Sequence, residues 1–376
     1  MKKILITATV VKTHIMQFHL PVLEMFKKMG WETAVASYND YENKEDCIIP
    51  FCDKFYELPF SRQPLNKSNI TAYKELKKII EEEKFDIIHC HTPVGGILTR
   101  LGARQSRKAG TKVFYTAHGF HFFKGSPIKN WLMYYPAEKI CSYFTDVLIT
   151  INSEDYALAK KCLKAKETVN VNGVGVDTFK IHNAKPDTDK YRQELGLKAD
   201  DIILFSVGEL IERKNHKTVI RALAELGNNS IHYVIAGSGT YYNDLFSLTE
   251  SLGLNGNVHF LGYRRDIANL VKTADIFCFP SYQEGLPVAL IEAMSGGLPV
   301  VASNIRGSVE LIDEGKGGFL YSPDDVTGFA SGITKLIENP QLRKSFGEYN
   351  KEKAKKYDVN IVTERMKEIY LSHIDK

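Results

Sequence analysis

Short apolar, β-branched segments alternate with longer amphipathic patterns along nearly the whole chain. In the first half, the segments that predict strands are KILITATV, TAVAS, DIIHCH, KVFYTAH and DVLITIN. In the second half, IILFSVGEL, IHYVIAGSG, NVHFLGY, DIFCFPS and PVVAS repeat the pattern. Alternation of strands and helices is typical of βαβ units, so each half is predicted to be an α/β domain built on a parallel sheet.

The length of the chain favours two domains. It has 376 residues, more than the roughly 250–300 at which a single hydrophobic core stops growing. We predict an N-terminal domain over 1–180, a polar linker at 181–190 that contains Pro186, and a C-terminal domain over 191–354. A charged amphipathic helix is predicted from near Asn350, and its part from about 355 to 376 is expected to pack back on the N-terminal domain.

Composition is that of an ordinary soluble protein, with 44% hydrophobic and 25% charged residues. The opening MKKILITATVV resembles a signal peptide in its charge, but we interpret it as a strand because Lys12 follows at once. No segment has about 18 uninterrupted apolar residues, so no transmembrane helix is predicted. Six scattered cysteines fit reduced thiols in the cytoplasm better than disulfides. His89-Cys90-His91 has no second ligand pair nearby and is interpreted as a strand interior rather than a metal site.

Charge is unevenly distributed between the halves. Residues 1–180 contain 26 Lys and Arg against 19 Asp and Glu, whereas the remainder has a small acidic excess. A basic half could contact an anionic membrane surface or nucleic acid, although solvated lysine-rich helices are a common alternative. Binding of nucleic acid is the weakest of these, because the basic residues are scattered and no recognition module is present.

Two well-known phosphate motifs are missing. The first strand is followed by no G-x-G-x-x-G, which disfavours a nicotinamide enzyme, and G-x-x-x-x-G-K-[ST] is also absent. Asp187-Thr188-Asp189 has the D-x-D spacing of many metal-dependent sugar-nucleotide enzymes. It lies in the predicted linker rather than after a strand, so we attribute it to chance.

The segment SYQEGLPVALIEAM, residues 281–294, predicts a binding site. It follows a strand, turns at QEGLP and opens a helix at Pro287, so the amides of Gly285 and Leu286 form an anion site at the helix N-terminus. Glu284 and Glu292 flank this site, and carboxylates accept hydrogen bonds from paired hydroxyls. A nucleotide sugar carries hydroxyls on both sides of its diphosphate. The alternative is that Glu284 caps the helix and Glu292 is a solvated acid, and for Glu292 taken alone that alternative is favoured.

The same segment resembles the E-(seven residues)-E signature of retaining GT-B glycosyltransferases of family 4. FSVGELIERKNH resembles that family's G-R-L-x-x-x-K loop, AGSGT its G-x-G, FLGYRRDI its nucleotide-contacting loop, and VNGVGVD the end of its N-terminal domain. The resemblance extends over essentially the whole chain. TAHGFHFFKG and NGVGVD are similar to the branch that builds capsular, exopolysaccharide and O-antigen repeat units.

The resemblance implies a GT-B fold, in which two Rossmann-like domains face each other across a cleft, and it implies roles for individual residues. Glu284 would bind hydroxyls of the donor sugar and Glu292 those of the ribose. Lys214 would contact the diphosphate, and His118 the sugar near its reacting carbon. The remaining donor-binding residues that it implies are Arg213, Gly237, Gly239, Gly262, Tyr263, Arg264, Gly285 and Leu286.

Two departures from the family pattern stand out. Most members have an arginine at the position of Glu209, so Glu209 is expected to turn away, to pair with Lys214 or Arg213, or to have another role, and Arg213 could replace the missing charge. TATVVKTH stands where many relatives have a Gly-Gly loop. Whether Thr9, Thr13 or His14 approaches the acceptor is left open.

The function implied is transfer of a hexose or N-acetylhexosamine, with retained configuration, from a nucleotide sugar to a polyprenyl-diphosphate-linked saccharide. A UDP-sugar is favoured as donor, and no metal or other cofactor is expected. The aromatic segment 118–144 with Lys124, Lys129 and Lys139 suits peripheral attachment to the inner leaflet of the plasma membrane, or else forms a buried helix. The alternatives are a UDP-sugar 2-epimerase, which needs no acceptor, and an inert sugar-nucleotide-binding subunit.

Overall fold

A computed structural model describes residues 1–374, and the chain forms two compact units. Unit 1 comprises Met1–Gly175 and the C-terminal segment that begins at Val359, and unit 2 comprises Val176–Asp358. The chain therefore passes between the units at 175/176 and at 358/359. Segment 181–190, predicted as a linker, lies inside unit 2, where it holds the end of one helix and the start of another.

Unit 1 is built on a seven-stranded parallel sheet with the strand order β3-β2-β1-β4-β5-β6-β7. Ile4 of the central strand is in register with Thr33 on one side and Ile87 on the other. The strands are β1 Lys3–Val10, β2 Glu32–Tyr38, β3 Lys54–Glu57, β4 Ile87–His91, β5 Lys112–Ala117, β6 Val147–Thr150 and β7 Glu167–Asn170.

Helices connect these strands. They are α1 Met16–Phe18, α2 Leu20–Lys28, α3 Ser68–Glu83, α4 Pro93–Gly102, α5 Arg104–Lys108, α6 Ile128–Ser142, α7 Ser153–Cys162 and, from the C-terminal segment, α17 Val359–Ile374. A π-helical turn, Val11–Ile15, directly follows β1, and a 3-10 turn spans Lys44–Asp46. Helix α17 contributes Tyr370, which is fully buried against Phe26 and Phe114.

Unit 2 is built on a six-stranded parallel sheet with the strand order β10-β9-β8-β11-β12-β13. The strands are β8 Ile202–Val207, β9 Ile231–Ala236, β10 Val258–Phe260, β11 Ile276–Phe279, β12 Val300–Ser303 and β13 Gly318–Tyr321. Because both faces of a parallel sheet are covered, its inner strands are continuous apolar runs. Leu204, Tyr233 and Ile276 are accordingly fully buried in one core.

The helices of unit 2 are α8 Thr178–His182, α9 Thr188–Glu194, α10 His216–Leu226, α11 Tyr242–Ser251, α12 Ile267–Thr273, α13 Val288–Gly296, α14 Arg306–Leu311, α15 Val326–Glu338 and α16 Pro340–Ala354. Two 3-10 turns, Glu212–Lys214 and Lys355–Tyr357, complete the unit. Asp187 of the D-x-D spacing is the N-cap of α9, where its carboxylate accepts from the amide of Lys190.

The single C-terminal helix predicted from near Asn350 is wrong. Helix α16 ends at Ala354, a 3-10 turn follows, and Asp358 has an extended backbone (φ −60°, ψ 139°) before α17 begins. This break coincides with the passage from unit 2 to unit 1. The pattern of charged residues continues across the break, so the sequence pattern alone does not show where α16 ends and α17 begins.

Candidate functional site

Glu284 lies in the loop between β11 and α13 and forms ion pairs with two basic side chains. Its Oε1 atom is 2.6 Å from Nη1 of Arg213 and 2.9 Å from Nζ of Lys214. The Glu284 and Lys214 side chains are each 13% exposed, whereas that of Arg213 is 41% exposed. Three residues that were predicted to bind the donor are therefore brought together, and the trio carries a net positive charge.

Hydrogen bonds to main-chain carbonyls connect the two loops that carry this trio. Asn215 follows Lys214 in the left-handed conformation (φ 55°), which asparagine tolerates better than most residues. Its side-chain amide donates to the carbonyls of Pro280 and Pro323 at 3.0 and 2.8 Å. The amide of Tyr282 donates to the carbonyl of Arg213 at 2.9 Å. These bonds fix the 3-10 turn that presents Arg213 and Lys214 beside Glu284.

Helix α13 begins at Val288, one residue later than predicted, and Pro287 is its N-cap. Proline has no amide hydrogen to leave unsatisfied, and within residues 1–374 no side chain forms a hydrogen-bonded cap at this helix end. The alternative that Glu284 acts as a cap is therefore wrong. Close packing supports the loop, because a Cβ atom at Gly307 would lie 3.0 Å from Cβ of Glu284 and 3.1 Å from the carbonyl of Gly285.

Glu292 is a partly buried acid, not the solvated one that its position alone favours. Burial raises the pKa of its carboxyl to about 7, and the nearby charge of Lys180 on α8 opposes that rise. The helical register places Val288 and Glu292 on one face. A carboxyl that titrates near neutral pH can both donate to and accept from paired hydroxyls.

Replacing Glu292 by glutamine is expected to stabilise the protein at alkaline pH. The folded-state pKa of about 7 exceeds the ordinary value of 4.5, so keeping this carboxylate charged costs stability above pH 7 and costs none below about 4.5. The full difference corresponds to roughly 3 kcal/mol. Thermal unfolding should show a higher Tm for Glu292→Gln than for wild type at pH 8.5, and equal values at pH 4.5. The expectation would be contradicted if the difference in Tm were the same at both pH values. It would also be contradicted if Glu250→Gln, which replaces an exposed acid on α11, gave the same difference.

Gly237 and Gly239, which were predicted to bind the donor, allow two loops to pack closely. A Cβ atom at Gly237 would lie 1.8 Å from the carbonyl oxygen of Gly208, and one at Gly239 would lie 2.3 Å from that of Leu210. The amide of Leu210 donates to the carbonyl of Ser238 at 2.9 Å. Only glycine allows these two loops to approach so closely.

The loop after β10 holds the other predicted donor-binding residues. Gly262 has φ 64°, and its carbonyl accepts from the amide of Gly237 at 2.8 Å. Tyr263 is 72% exposed. Arg264 donates through Nε to Asp266 at 2.8 Å, and this ion pair holds the pKa of Asp266 well below its usual range. Arg264 is thus partly engaged within its own loop.

Glu209, the departure from the family pattern, has an exposed side chain. Among the described residues it forms no ion pair with Lys214 or Arg213, because both of these contact Glu284. Of the outcomes considered for Glu209, pairing with Lys214 or Arg213 is therefore not observed among the described residues. Arg213 supplies a positive charge beside Lys214, as the sequence suggested.

His118 belongs to unit 1, where it directly follows β5. Burial lowers the pKa of its imidazole to about 4, so the ring is neutral at pH 7. Thr9 hydrogen-bonds Thr92 at 2.6 Å between hydroxyls, and Thr13 donates to Asp40 at 3.2 Å. His14 lies against His118, with ring centroids 4.8 Å apart.

Sequence reasoning missed several residues that build the site. Arg306 donates through Nε to the carbonyl of Glu284 at 3.1 Å, Asn215 fixes the basic turn, and Lys180 lies near Glu292. Asn215 had a signal, since asparagine after a basic turn is typical of a left-handed position. Arg306 and Lys180 are brought to the site by tertiary structure and had no local signal.

Comparison with known proteins identifies relatives along the whole chain. The family described as "Glycosyl transferases group 1" matches residues 187–353, and "Glycosyl transferase 4-like" matches residues 3–152. The putative glycosyltransferase EpsD of Bacillus subtilis is 40% identical over 378 residues, covering 100% of this chain and 97% of EpsD. A UDP-Gal:alpha-D-GlcNAc-diphosphoundecaprenol alpha-1,3-galactosyltransferase of Escherichia coli is 34% identical over 283 residues, 73% of this chain and 71% of the relative.

Solved structures show the same fold. HepE of Anabaena, crystallised with UDP and glucose, superposes with a TM-score of 0.83 at 21% identity, covering 99% of this chain and 100% of HepE. WaaG, a glycosyltransferase involved in lipopolysaccharide biosynthesis, superposes with a TM-score of 0.77 at 19% identity, covering 97% and 99%. Together with the two parallel sheets, this likeness confirms the predicted GT-B fold class.

Proposed function

Because the chain belongs to the group 1 glycosyl transferases, we propose that it transfers a hexose or N-acetylhexosamine from a UDP-sugar to a lipid-linked saccharide in surface polysaccharide assembly. The E. coli relative is named for UDP-Gal and a diphosphoundecaprenol-linked acceptor, and HepE was crystallised with UDP. Both proteins support UDP as the nucleotide of the donor, and the E. coli relative supports a polyprenyl diphosphate as the lipid anchor of the acceptor.

The observation that carries the proposal is the contact of Glu284 with Lys214 and Arg213 at the start of α13. Two cations on one carboxylate leave a net positive charge, which attracts a diphosphate. The positive end of the helix dipole and the amides of Gly285 and Leu286 act in the same direction. The Glu284 carboxylate remains beside the anion site, within reach of hydroxyls on the sugar that the diphosphate carries.

In the proposed reaction, the bond between the anomeric carbon and the diphosphate oxygen breaks, and the acceptor hydroxyl oxygen forms a bond to the same carbon. The acceptor proton passes to an oxygen of the departing diphosphate. Lys214 and Arg213 stabilise the charge that develops on this leaving group. Glu284 orients the sugar and stabilises its oxocarbenium-like centre, while Glu292 holds the ribose. His118, neutral at pH 7, contacts the sugar as a hydrogen-bonding group.

This front-face route predicts that the anomeric configuration of the donor is retained. Attack and departure occur on one face of the sugar, so an α-linked donor yields an α-linked product. Proton NMR of the anomeric signal of the product, compared with that of the donor, measures this directly. An inverted signal would rule out the route and would leave the residue assignments to be tested separately by substitution.

The acceptor side of the proposal is supported by an apolar face on α6 of unit 1. Ile128, Leu132, Met133 and Ile140 are between 54% and 74% exposed, and they share one side of the helix with exposed Lys129. Apolar side chains with adjacent lysines fit the interface of an anionic leaflet. Lys139, expected on this surface, instead donates to the carbonyl of Cys162. None of the described helices is long and apolar enough to cross a bilayer.

Replacing Leu132 by glutamate is expected to weaken binding to anionic vesicles by about 10-fold or more, because burying one leucine contributes roughly 1.5–3 kcal/mol. Sedimentation with phosphatidylglycerol vesicles at low salt measures the partition. Leu65→Glu is the matched control, since Leu65 is 93% exposed and precedes α3 rather than belonging to α6. Equal sedimentation of the two variants, or wild-type protein that stays in the supernatant, would remove support for membrane attachment through this face.

A further inference from the structure

Four histidines of unit 1 converge where β1, β4 and β5 end. His14 lies in the π-helical turn after β1, His19 follows α1, His91 is the last residue of β4, and His118 follows β5. The rings of His19 and His91 are stacked with centroids 3.7 Å apart. Each of the four offers one ring nitrogen such that all four atoms lie within 4.8 Å of one another. The described residues contain no other such group of three or more ligand side chains.

Three of these rings have an unsatisfied nitrogen. The Nε2 atoms of His14, His19 and His91 are buried and have no hydrogen-bond partner among the described residues. Leaving a buried polar atom unpaired costs about 1–3 kcal/mol, so three in one place need a common explanation. The remaining contact is internal to the cluster, since Nδ1 of His91 is 3.1 Å from Nε2 of His118.

The neighbouring His89 shows what a structural histidine looks like in the same sheet. Its Nδ1 hydrogen-bonds the hydroxyl of Tyr370 at 2.5 Å and its Nε2 that of Thr116 at 2.8 Å. Both ring nitrogens are therefore satisfied by the fold. The rings of His14, His19 and His91 differ from His89 in this respect, since each keeps an unsatisfied Nε2.

The cluster lies between the interior of unit 1 and its surface. His19 and His91 are buried, whereas His14 and His118 are partly exposed.

We propose that His14, His19, His91 and His118 bind one divalent transition-metal ion, with Zn²⁺ as the first candidate. Imidazole nitrogen is a preferred ligand of Zn²⁺, Ni²⁺ and Cu²⁺, and four such ligands match tetrahedral zinc. A Zn–N distance of about 2.1 Å places tetrahedral ligand atoms about 3.4 Å apart. The four candidate nitrogens lie within 4.8 Å of one another, so binding requires ring movements that shorten these separations by about 1.4 Å at most.

A small cavity adjoins three of the four rings. It measures about 40 Å³ and is bordered by His19, His91, His118 and His89. The site lies in unit 1 and uses none of the residues that hold the diphosphate in the proposed function. Metal binding can be measured without any nucleotide sugar. His118 is shared with the proposed function, where it contacts the sugar, so the substitutions that test metal binding are placed at the other three histidines.

The test is a titration of the metal-stripped full-length protein with Co²⁺ and with Zn²⁺. We expect one equivalent to bind, the visible absorption bands of tetrahedral Co²⁺ to appear, and the unfolding temperature to rise with bound Zn²⁺. His19→Gln and His91→Gln should each weaken binding at least about 10-fold, the loss that even an outer-shell partner typically causes.

His259→Gln is the matched control and should leave binding unchanged. His259 pairs with His232 at 3.1 Å in unit 2, so it is also a histidine beside a histidine. If either core variant fails to fold, His14→Gln tests the same site from its more exposed side. The proposal would be overturned if the wild type showed no stoichiometric binding. It would also be overturned if the single variants His19→Gln and His91→Gln bound the metal as tightly as His259→Gln does.

Discussion

Replacing Glu284 by glutamine is expected to lower the turnover of sugar transfer by about 100- to 1,000-fold, the effect of losing one preorganised transition-state partner. The carboxylate is 13% exposed and contacts both cations of the site. Glutamine keeps its size but removes the charge that would stabilise the sugar's developing positive centre. UDP affinity should stay the same or rise, because Lys214 and Arg213 no longer share their charge with a carboxylate.

Initial rates at saturating donor, together with calorimetric titration of UDP, measure both parts of this expectation. Glu250→Gln, which neutralises an exposed acid on α11, should behave as wild type in both assays. Turnover within a few-fold of wild type for Glu284→Gln would contradict the role given to this residue. A parallel loss of UDP affinity would instead indicate that the loop had been disrupted.

Replacing Lys214 by methionine is expected to lower turnover by a factor similar to that of Glu284→Gln. Unlike Glu284→Gln, it is expected to weaken UDP binding. A hydrogen bond to a charged group contributes about 1.5–3 kcal/mol, so UDP affinity should fall by about 10- to 100-fold. Methionine keeps an apolar side chain of similar length in place of the lysine stem, which lies beside Gly208. Folding should therefore survive, as thermal unfolding can verify.

The same calorimetric titration separates Lys214→Met from a general charge effect. Lys316→Met removes an exposed lysine of unit 2 and should leave UDP affinity unchanged. If Lys214→Met binds UDP as tightly as Lys316→Met does, Lys214 is not a diphosphate ligand. The two variants at Glu284 and Lys214 thus share a loss of turnover and differ in the direction of the UDP response.

The interior strands could be predicted from the sequence, whereas only one of the four edge strands, β10, could. Strands β1, β4, β5, β8, β9 and β11 are buried along nearly their whole length, so each is rich in apolar and β-branched residues and can be identified from the sequence alone. The three strands that were missed, β3, β7 and β13, each lie at the edge of a sheet and are only partly buried. Half-exposed strands mix polar and apolar residues and lose the signal.

The site divides in the same way. The segment that carries Glu284 was identifiable because strand, turn, proline and helix follow one another in sequence. The ion pairs to Arg213 and Lys214 join residues some 70 positions apart, and only the parallel order of β8 and β11 brings them together. Likewise His91 was interpreted as part of a strand interior, which it is, yet its ring meets those of His14, His19 and His118 from two other strand ends.

The central claim is transfer of a sugar from UDP to a lipid-linked acceptor, and mass spectrometry of the reaction tests it most directly. The protein is incubated with UDP-sugars and, in parallel, GDP-sugars, each with and without an N-acetylhexosaminyl diphosphate polyprenol. We predict that one sugar mass is added to the acceptor for each UDP released, only when UDP-sugar and acceptor are both present. Conversion of UDP-N-acetylglucosamine to an epimer without acceptor, or tight binding of UDP-sugars with no product from any of them, would contradict the account.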